Sequence, residues 1–299
     1  MARPSLPERF RSILIWDITK PEKPIDEISE PFLGRQTALL YLKNPDRLLA
    51  TDSFPSQIGR LHSIDLKTKK ATTFDTAHTD TIFDLSISRD GKQYSTASAD
   101  KLITVRNASD HKIVSRLEGH TGYVIATAFN PDGTRLASGG DDEEVKVWDL
   151  KSGKKISFFS TSRSGPLHDL VWLEDPTNRK KRDDEKDEKK KTEINTDRIL
   201  SFPESGRPSS YTELKEHEGS ERSTGARERG FDQVDTPLFS MACDPEKQWF
   251  FAGGENGKLY VWDENGKLKQ TLEAPVPKAV EPEKPVTEEK PKTETAQAN

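Results

Sequence analysis

An all-β chain of repeated small antiparallel sheets is the fold class this sequence predicts, and three observations carry the prediction. The first is a repeat. Residues 78–107 and 119–149 align along their length: an alternating strand, an Asp-Gly turn, a small-residue strand, a tight turn and a second alternating strand. The second is the constancy of the period, because the unit ends at Asp65, Asn107 and Asp149 stand 42 residues apart. The third is residue choice within a strand. In Val124-Ile-Ala-Thr-Ala-Phe129 both alternating sets are apolar or small. Such a strand belongs to a sheet buried on both faces.

Each unit can be placed in order. Ser12-Ile-Leu-Ile-Trp-Asp17 reads as the third strand of a unit whose first two strands are missing. Residues 36–70 read as a whole unit ending Arg60-Leu-His-Ser-Ile-Asp65, and the strong pair follows. Between Asp149 and Asp263 lie two more units plus roughly 30 extra residues. The first of these begins Leu167-His-Asp-Leu-Val-Trp172 and resumes at Arg198-Ile-Leu-Ser-Phe202, with Tyr211 near the expected tryptophan. The second runs from Pro237 to Asp263. The extra residues are a charged insertion at 174–197, which has no apolar face, and a polar insertion at 215–233. Residues 1–11 form an N-terminal extension, 12–272 one repeat domain, and 273–299 a Pro/Glu/Lys-rich tail expected to be disordered with polyproline character. These segments account for an apolar content of only 31% beside 32% charged residues.

A unit of this length that opens Gly119-His120 and closes Trp148-Asp149 resembles the WD40 repeat. The likeness is strongest over residues 78–150, extends over about 12–272, and is greatest to bacterial-type WD40 proteins, of which this chain is expected to be a piece. It implies a β-propeller of about five full blades plus a partial N-terminal blade, an incomplete or open ring, since WD40 rings usually hold seven. It also implies a buried hydrogen-bond network at His120, Ser138, Asp142 and Trp148. The preceding unit keeps His78, Thr96 and Asp100 but has Arg106 where the tryptophan belongs. The last unit keeps Trp262 beside Ala252 and Asn256.

That network is the structural reading of a set, His120 with Asp142 and Ser138, that otherwise imitates a hydrolytic triad. Satisfying each of these polar groups avoids about 1–3 kcal/mol of burial cost. Lys146, in Val145-Lys-Val-Trp148, is expected on a partly exposed face. The six histidines include no H-x-x-x-H or H-E-x-x-H pattern, so no metal or cofactor is expected. Cys243 is the sole cysteine, which excludes an intramolecular disulfide and fits a core filler rather than a nucleophile. A net charge of −5, without a basic stripe, argues against nucleic acid as partner. No stretch approaches the length needed to span a bilayer, and no membrane partner is expected. The expected compartment is cytoplasmic, or periplasmic if a leader precedes residue 1.

The expectation for function is a non-catalytic scaffold for protein–protein interactions. Residues opening the innermost strands of such a fold line one face, and here these are Gln36, Thr81, Tyr123, Pro166 and Pro237. Tyr123 leads them, because tyrosine offers a large amphipathic surface at low entropy cost. His168 and Asp169 are further candidates, near the start of an innermost strand. The alternatives are a propeller-type hydrolase or lactonase using those two axis-facing residues, and a regulatory module of a larger multidomain protein. Self-association through an open propeller edge is also expected.

Overall fold

The computed structural model describes residues 12–17, 19, 24–29, 32–42, 46–53, 58–74, 78–161, 165–174, 184, 186, 197–203, 208–211, 227–244, 247, 249–263 and 265–273. Every element among them is a strand. A two-stranded half-blade, β1 (Ile13–Ile15) and β2 (Asp26–Ile28), comes first. Five four-stranded antiparallel meanders follow, each paired in sequence order. Blade 1 holds β3 (Arg35–Tyr41), β4 (Arg47–Ser53), β5 (Gly59–Asp65) and β6 (Ala71–Phe74). Blade 2 holds β7 (Ile82–Ile87), β8 (Gln93–Ser98), β9 (Ile103–Asn107) and β10 (Ile113–Leu117). Blade 3 holds β11 (Val124–Phe129), β12 (Arg135–Gly140), β13 (Glu144–Asp149) and β14 (Lys154–Ser160). Blade 4 holds β15 (Leu167–Glu174), β16 (Asp197–Pro203), β17 (Ser209–Tyr211) and β18 (Arg227–Gly230). Blade 5 holds β19 (Leu238–Asp244), β20 (Trp249–Gly254), β21 (Lys258–Trp262) and β22 (Leu268–Glu273).

The repeat extends to backbone irregularity. The ladder between first and second strands shifts register near its start in all five blades: at Gln36/Leu39, Ile82/Asp84, Val124/Ala126, Leu167/Asp169 and Leu238/Ser240. A bulge of this kind bends the strand and re-aims the residues around it. It sets the directions of Phe83, Ile125, His168 and Phe239.

The hydrophobic core is a series of layers between successive sheets. Ile13 and Ile28 pack with Leu48, Ala50 and Ile64, joining the half-blade to blade 1. Leu49 and Leu61 meet Leu85 and Tyr94 between blades 1 and 2. Ile103 and Val105 meet Val124 and Leu136 between blades 2 and 3. Val145 and Val147 meet Leu167 and Leu170 between blades 3 and 4. Leu200 and Phe202 meet Phe250 and Trp262 between blades 4 and 5. The innermost strands β3, β7, β11, β15 and β19 lie side by side in that order. Among the described residues the sheets do not close into a ring. Among the described residues no apolar cluster joins blade 5 to the half-blade. Phe239, Leu259 and Leu272 stay exposed on blade 5, and Leu39 and Tyr41 on blade 1.

Two expectations need correction. The stretch 215–233 is not insertion throughout: Arg227–Gly230 pairs with β17 as the outermost strand of blade 4, and Phe231 and Val234 enter the core. An outermost strand is paired on one side only, so a charged sequence can serve there. Lys146 is not partly exposed but almost fully buried at 1%. Carboxylates of Asp142 and Glu144 bond its ammonium and offset the desolvation that keeps most lysines at the surface. Residues 1–11, most of 174–197 and the tail beyond 273 lie outside the described residues.

Candidate interaction surface and the networks beneath it

The residue just before an innermost strand is tied down the same way in three blades. The carbonyls of Thr81, Tyr123 and Pro237 accept from the N–H groups of Ala99, Asp141 and Glu255 at 2.9, 3.0 and 3.0 Å. At Gly140 the approach is so close that an added Cβ would lie 1.8 Å from the Tyr123 carbonyl oxygen. Glycine there lets the segment seat against β12, and the Tyr123 side chain turns outward, 48% exposed.

Tyr123 and Phe83 stand with ring centroids 6.3 Å apart at the rim of a cavity of ≈ 230 Å³. Arg35, Thr37, Asp80 and Thr81 complete the wall, so blades 1, 2 and 3 all contribute. Of the residues expected to line this face, Thr81 and Tyr123 come together. Gln36 bonds back to the Gly34 carbonyl at 3.0 Å beside the same cavity. Pro166 and Pro237, which open blades 4 and 5, do not line it. Phe83 was absent from the sequence expectation. Its direction is set by the bulge at Ile82/Asp84, which the sequence pattern does not announce.

Asp169 is engaged with backbone. One oxygen accepts from Leu170 N at 2.8 Å and the other from Met241 N at 2.7 Å, reaching from β15 to β19. Asp84, at the matching place in blade 2, accepts from Thr127 N at 2.9 Å and Thr127 Oγ1 at 3.1 Å, reaching from β7 to β11. Both carboxylates therefore strap one blade to the next. Burial, with the negative charge of Asp84 adding to it, pushes Asp169 up to about 7 despite its two N–H partners. Burial likewise raises Asp84. His168 lies edge-on to Phe239 at 5.2 Å, and its Nε2 is enclosed without a hydrogen-bond partner.

An acid whose folded pKa is raised destabilises the fold when it ionises. That cost is absent at low pH and grows as pH rises from about 4 toward 7. Replacement Asp169→Asn is therefore expected to flatten the loss of thermal stability between pH 5 and 8. Melting profiles at matched ionic strength check this, and parallel pH profiles for the two proteins would refute it.

Beneath the surface, blades 1, 2 and 3 hold His, Asp and hydroxyl groups in hydrogen-bond networks, while Ser63, Ser157 and Ser201 Oγ are buried without a partner among the described residues. In blade 3, His120 Nδ1 donates to Asp142 at 2.8 Å, and its Nε2 accepts from Ser138 Oγ at 2.7 Å. Ser138 in turn accepts from Trp148 Nε1 at 2.8 Å. Asp142 also accepts from Lys146 Nζ and Thr121 N, both at 3.0 Å. Burial opposes ionisation of Asp142, yet the bonds from His120 and Lys146 prevail and hold its carboxyl far below the ordinary range. Blade 2 places His78 between Asp100 at 2.8 Å and Thr96 at 2.7 Å. There Arg106 substitutes for tryptophan through a relay: its Nε donates to Thr104 Oγ1 at 3.2 Å, and Thr104 meets Thr96 at 2.7 Å.

Blade 1 builds its network differently. His62, inside β5, bonds Asp52 Oδ1 at 2.8 Å and Thr73 Oγ1 at 2.9 Å. Asp52 also accepts from Leu33 N, Gly34 N and Arg60 at 2.7, 2.9 and 2.6 Å. Blade 5 has no such histidine. Trp262 Nε1 donates to the Asp232 carbonyl at 3.0 Å, and Phe231 and Phe250 fill the space. No cluster of three His, Cys, Asp or Glu side chains with metal-binding geometry occurs among the described residues.

Five stacked meanders with buried polar networks and loops gathered at the strand ends define a blade-repeat scaffold. WD40 repeats occur in three places: the family model "WD domain, G-beta repeat" matches residues 68–107, 111–149 and 232–263, which take in the first three strands of blades 2, 3 and 5. A small ribosomal subunit protein RACK1y of Oryza sativa subsp. japonica is 39% identical over 75 residues, which cover 25% of this chain and 22% of that one. An uncharacterized WD repeat-containing protein of Synechocystis is 32% identical over 157 residues, covering 52% of this chain and 43% of the relative. The matched segments thus span less than half of these relatives. The crystal structure of the RRP9 WD40 repeats superposes with a TM-score of 0.62 at 14% identity, over 80% of this chain and 63% of that chain. This likeness supports the fold alone. WD40 repeat proteins are protein-interaction scaffolds.

Proposed function

We propose that this chain is a non-catalytic scaffold that binds protein partners through the face carrying Tyr123. The supporting observation is the aromatic pair Phe83 and Tyr123 at the rim of a cavity walled by three blades. A rigid stack presents such a rim with little ordering cost on binding. Tyrosine in that setting makes an interface anchor. The histidines, hydroxyls and carboxylates that could imitate a catalytic set already serve as partners for one another. Cross-linked pull-down with the native protein and with Tyr123→Ala tests the reading. Partners should be lost or reduced more than tenfold in the variant, and retention of every partner would rule out this face.

Self-association has its own support in the exposed apolar side chains at both ends of the arc. Size-exclusion chromatography should give a concentration-dependent increase in apparent mass. A single monomer peak at high concentration would contradict it.

A further inference from the structure

The ends of the blades opposite Tyr123 hold a second and larger cavity, of ≈ 640 Å³, between blades 1 and 2. Leu42 and Arg47 reach it from the ends of β3 and β4, Gly91 and Lys92 from the β7–β8 turn, and Asn107, Ser109 and His111 from the β9–β10 turn. Three basic side chains reach it, Arg47 from blade 1 with Lys92 and His111 from blade 2. Asn107 and Ser109 add hydrogen-bonding groups, and Leu42 an apolar patch. We propose that this cleft binds a small phosphate-bearing molecule.

The charge balance supports an anion. Asp46 and Asp110 have lysine partners outside the cleft lining, Lys67 at 2.7 Å and Lys112 at 3.6 Å, whereas Lys92 stands between the cleft and Asp90, 3.3 Å from that carboxylate. Asp65, opposite Arg47 in the ladder, accepts from the Lys67 and Thr68 N–H groups at 3.0 and 2.9 Å. The Arg47 guanidinium makes no ion pair within 4 Å among the described residues, which leaves its planar fork for a ligand oxygen pair. Burial lowers the His111 pKa, and the positive charges of Arg106 and Arg47 lower it further, against a weaker pull from Asp110. The imidazole therefore sits in a positive field that a bound anion would relieve.

The local backbone holds that imidazole at a cost. His111 adopts φ 59°, in the left-handed region. The equivalent turns have Lys69 at φ 58° in blade 1 and Gly153 at φ 68° in blade 3, closed by the same kind of bond: Lys69 N to Asp65 O at 2.7 Å, Gly153 N to Asp149 O at 2.9 Å, His111 N to Asn107 O at 3.0 Å. A non-glycine residue there costs on the order of 1 kcal/mol. Two contacts fix the side chain in return and a third fixes its backbone. Tyr94 Oη lies 3.1 Å from Nδ1, Phe74 packs on the ring at 4.2 Å, and Arg106 holds the His111 carbonyl at 2.9 Å. The cavity volume falls within the range of small-molecule sites, roughly 300–1,000 Å³.

Inorganic pyrophosphate titrated calorimetrically into the full chain tests the assignment. Saturable one-to-one binding is expected, weakened at least tenfold by Arg47→Gln and by Lys92→Gln, both surface changes compatible with folding. The NMR titration midpoint of His111 should rise on adding pyrophosphate, a readout that a structural role for Arg47 would not produce. Tyr123→Ala, at the opposite strand ends, should bind pyrophosphate unchanged. Absence of saturable binding, equal affinity in the two charge variants, or affinity confined to a phosphoserine peptide would overturn the proposal.

Discussion

Asp142→Ala is expected to cost about 3–5 kcal/mol, because it removes the acceptor on which a buried network converges. His120, Thr121 N and the Lys146 ammonium all lose a partner at once. The Lys146 ammonium would then stay buried with Glu144 as its one remaining carboxylate and His120 Nδ1 at 3.5 Å, which is the expensive half of the loss. Urea unfolding should shift its midpoint downward by more than about 1 M with unchanged slope. The paired replacement Asp142→Leu with Lys146→Met should recover part of the loss, since an apolar pair needs no partner. A midpoint shift below about 0.3 M for Asp142→Ala would mean that water replaces the lost bonds and the network is not buried.

Asp52→Ala should cost a similar amount, about 3–5 kcal/mol, for a different reason. Asp52 is fully buried and accepts from Leu33 N, Gly34 N, Arg60 and His62. Its loss strands the His62 ring and also frees the segment that leads from β2 into β3. The half-blade should therefore loosen before the rest of the arc. Hydrogen exchange over residues 12–34 should accelerate at least tenfold in this variant, while residues 119–161 keep their rates. Uniform acceleration along the chain would show instead that the arc unfolds as one unit.

Much of this architecture is legible in the sequence because one blade is written almost without substitution. Gly119-His120, Ser138, Asp142 and Trp148-Asp149 name the turn, the network and the closing strand together. The preceding blade is legible for the same reason, and its Arg106 stands out as a departure. His62 was missed because it lies within the third strand of its blade rather than ahead of the first. Asp52 and His62 meet diagonally across neighbouring strands, ten residues apart, in the buried stretches 48–53 and 61–64. A polar pair in such runs is the signal that could have revealed them. The burial of Lys146 was hidden because pattern alone places a lysine outward. Only the Asp142 and Glu144 carboxylates, brought together by the turn at 141–144, make burial affordable. The surface was half legible: Tyr123 follows from the repeat, whereas Phe83 depends on a bulge and the basic cleft on Arg47 of blade 1 meeting two turns of blade 2.

Residues 78–117 and 120–160 are interchangeable sheets whose stability comes from lying against each other. Hydrogen exchange of the native protein, resolved by segment, reads this dependence. The two middle strands of each sheet, residues 93–107 and 135–149, should be the slowest to exchange and should lose protection together as urea is added. Rapid exchange in either pair, or protection lost in one sheet while its neighbour persists, would contradict it.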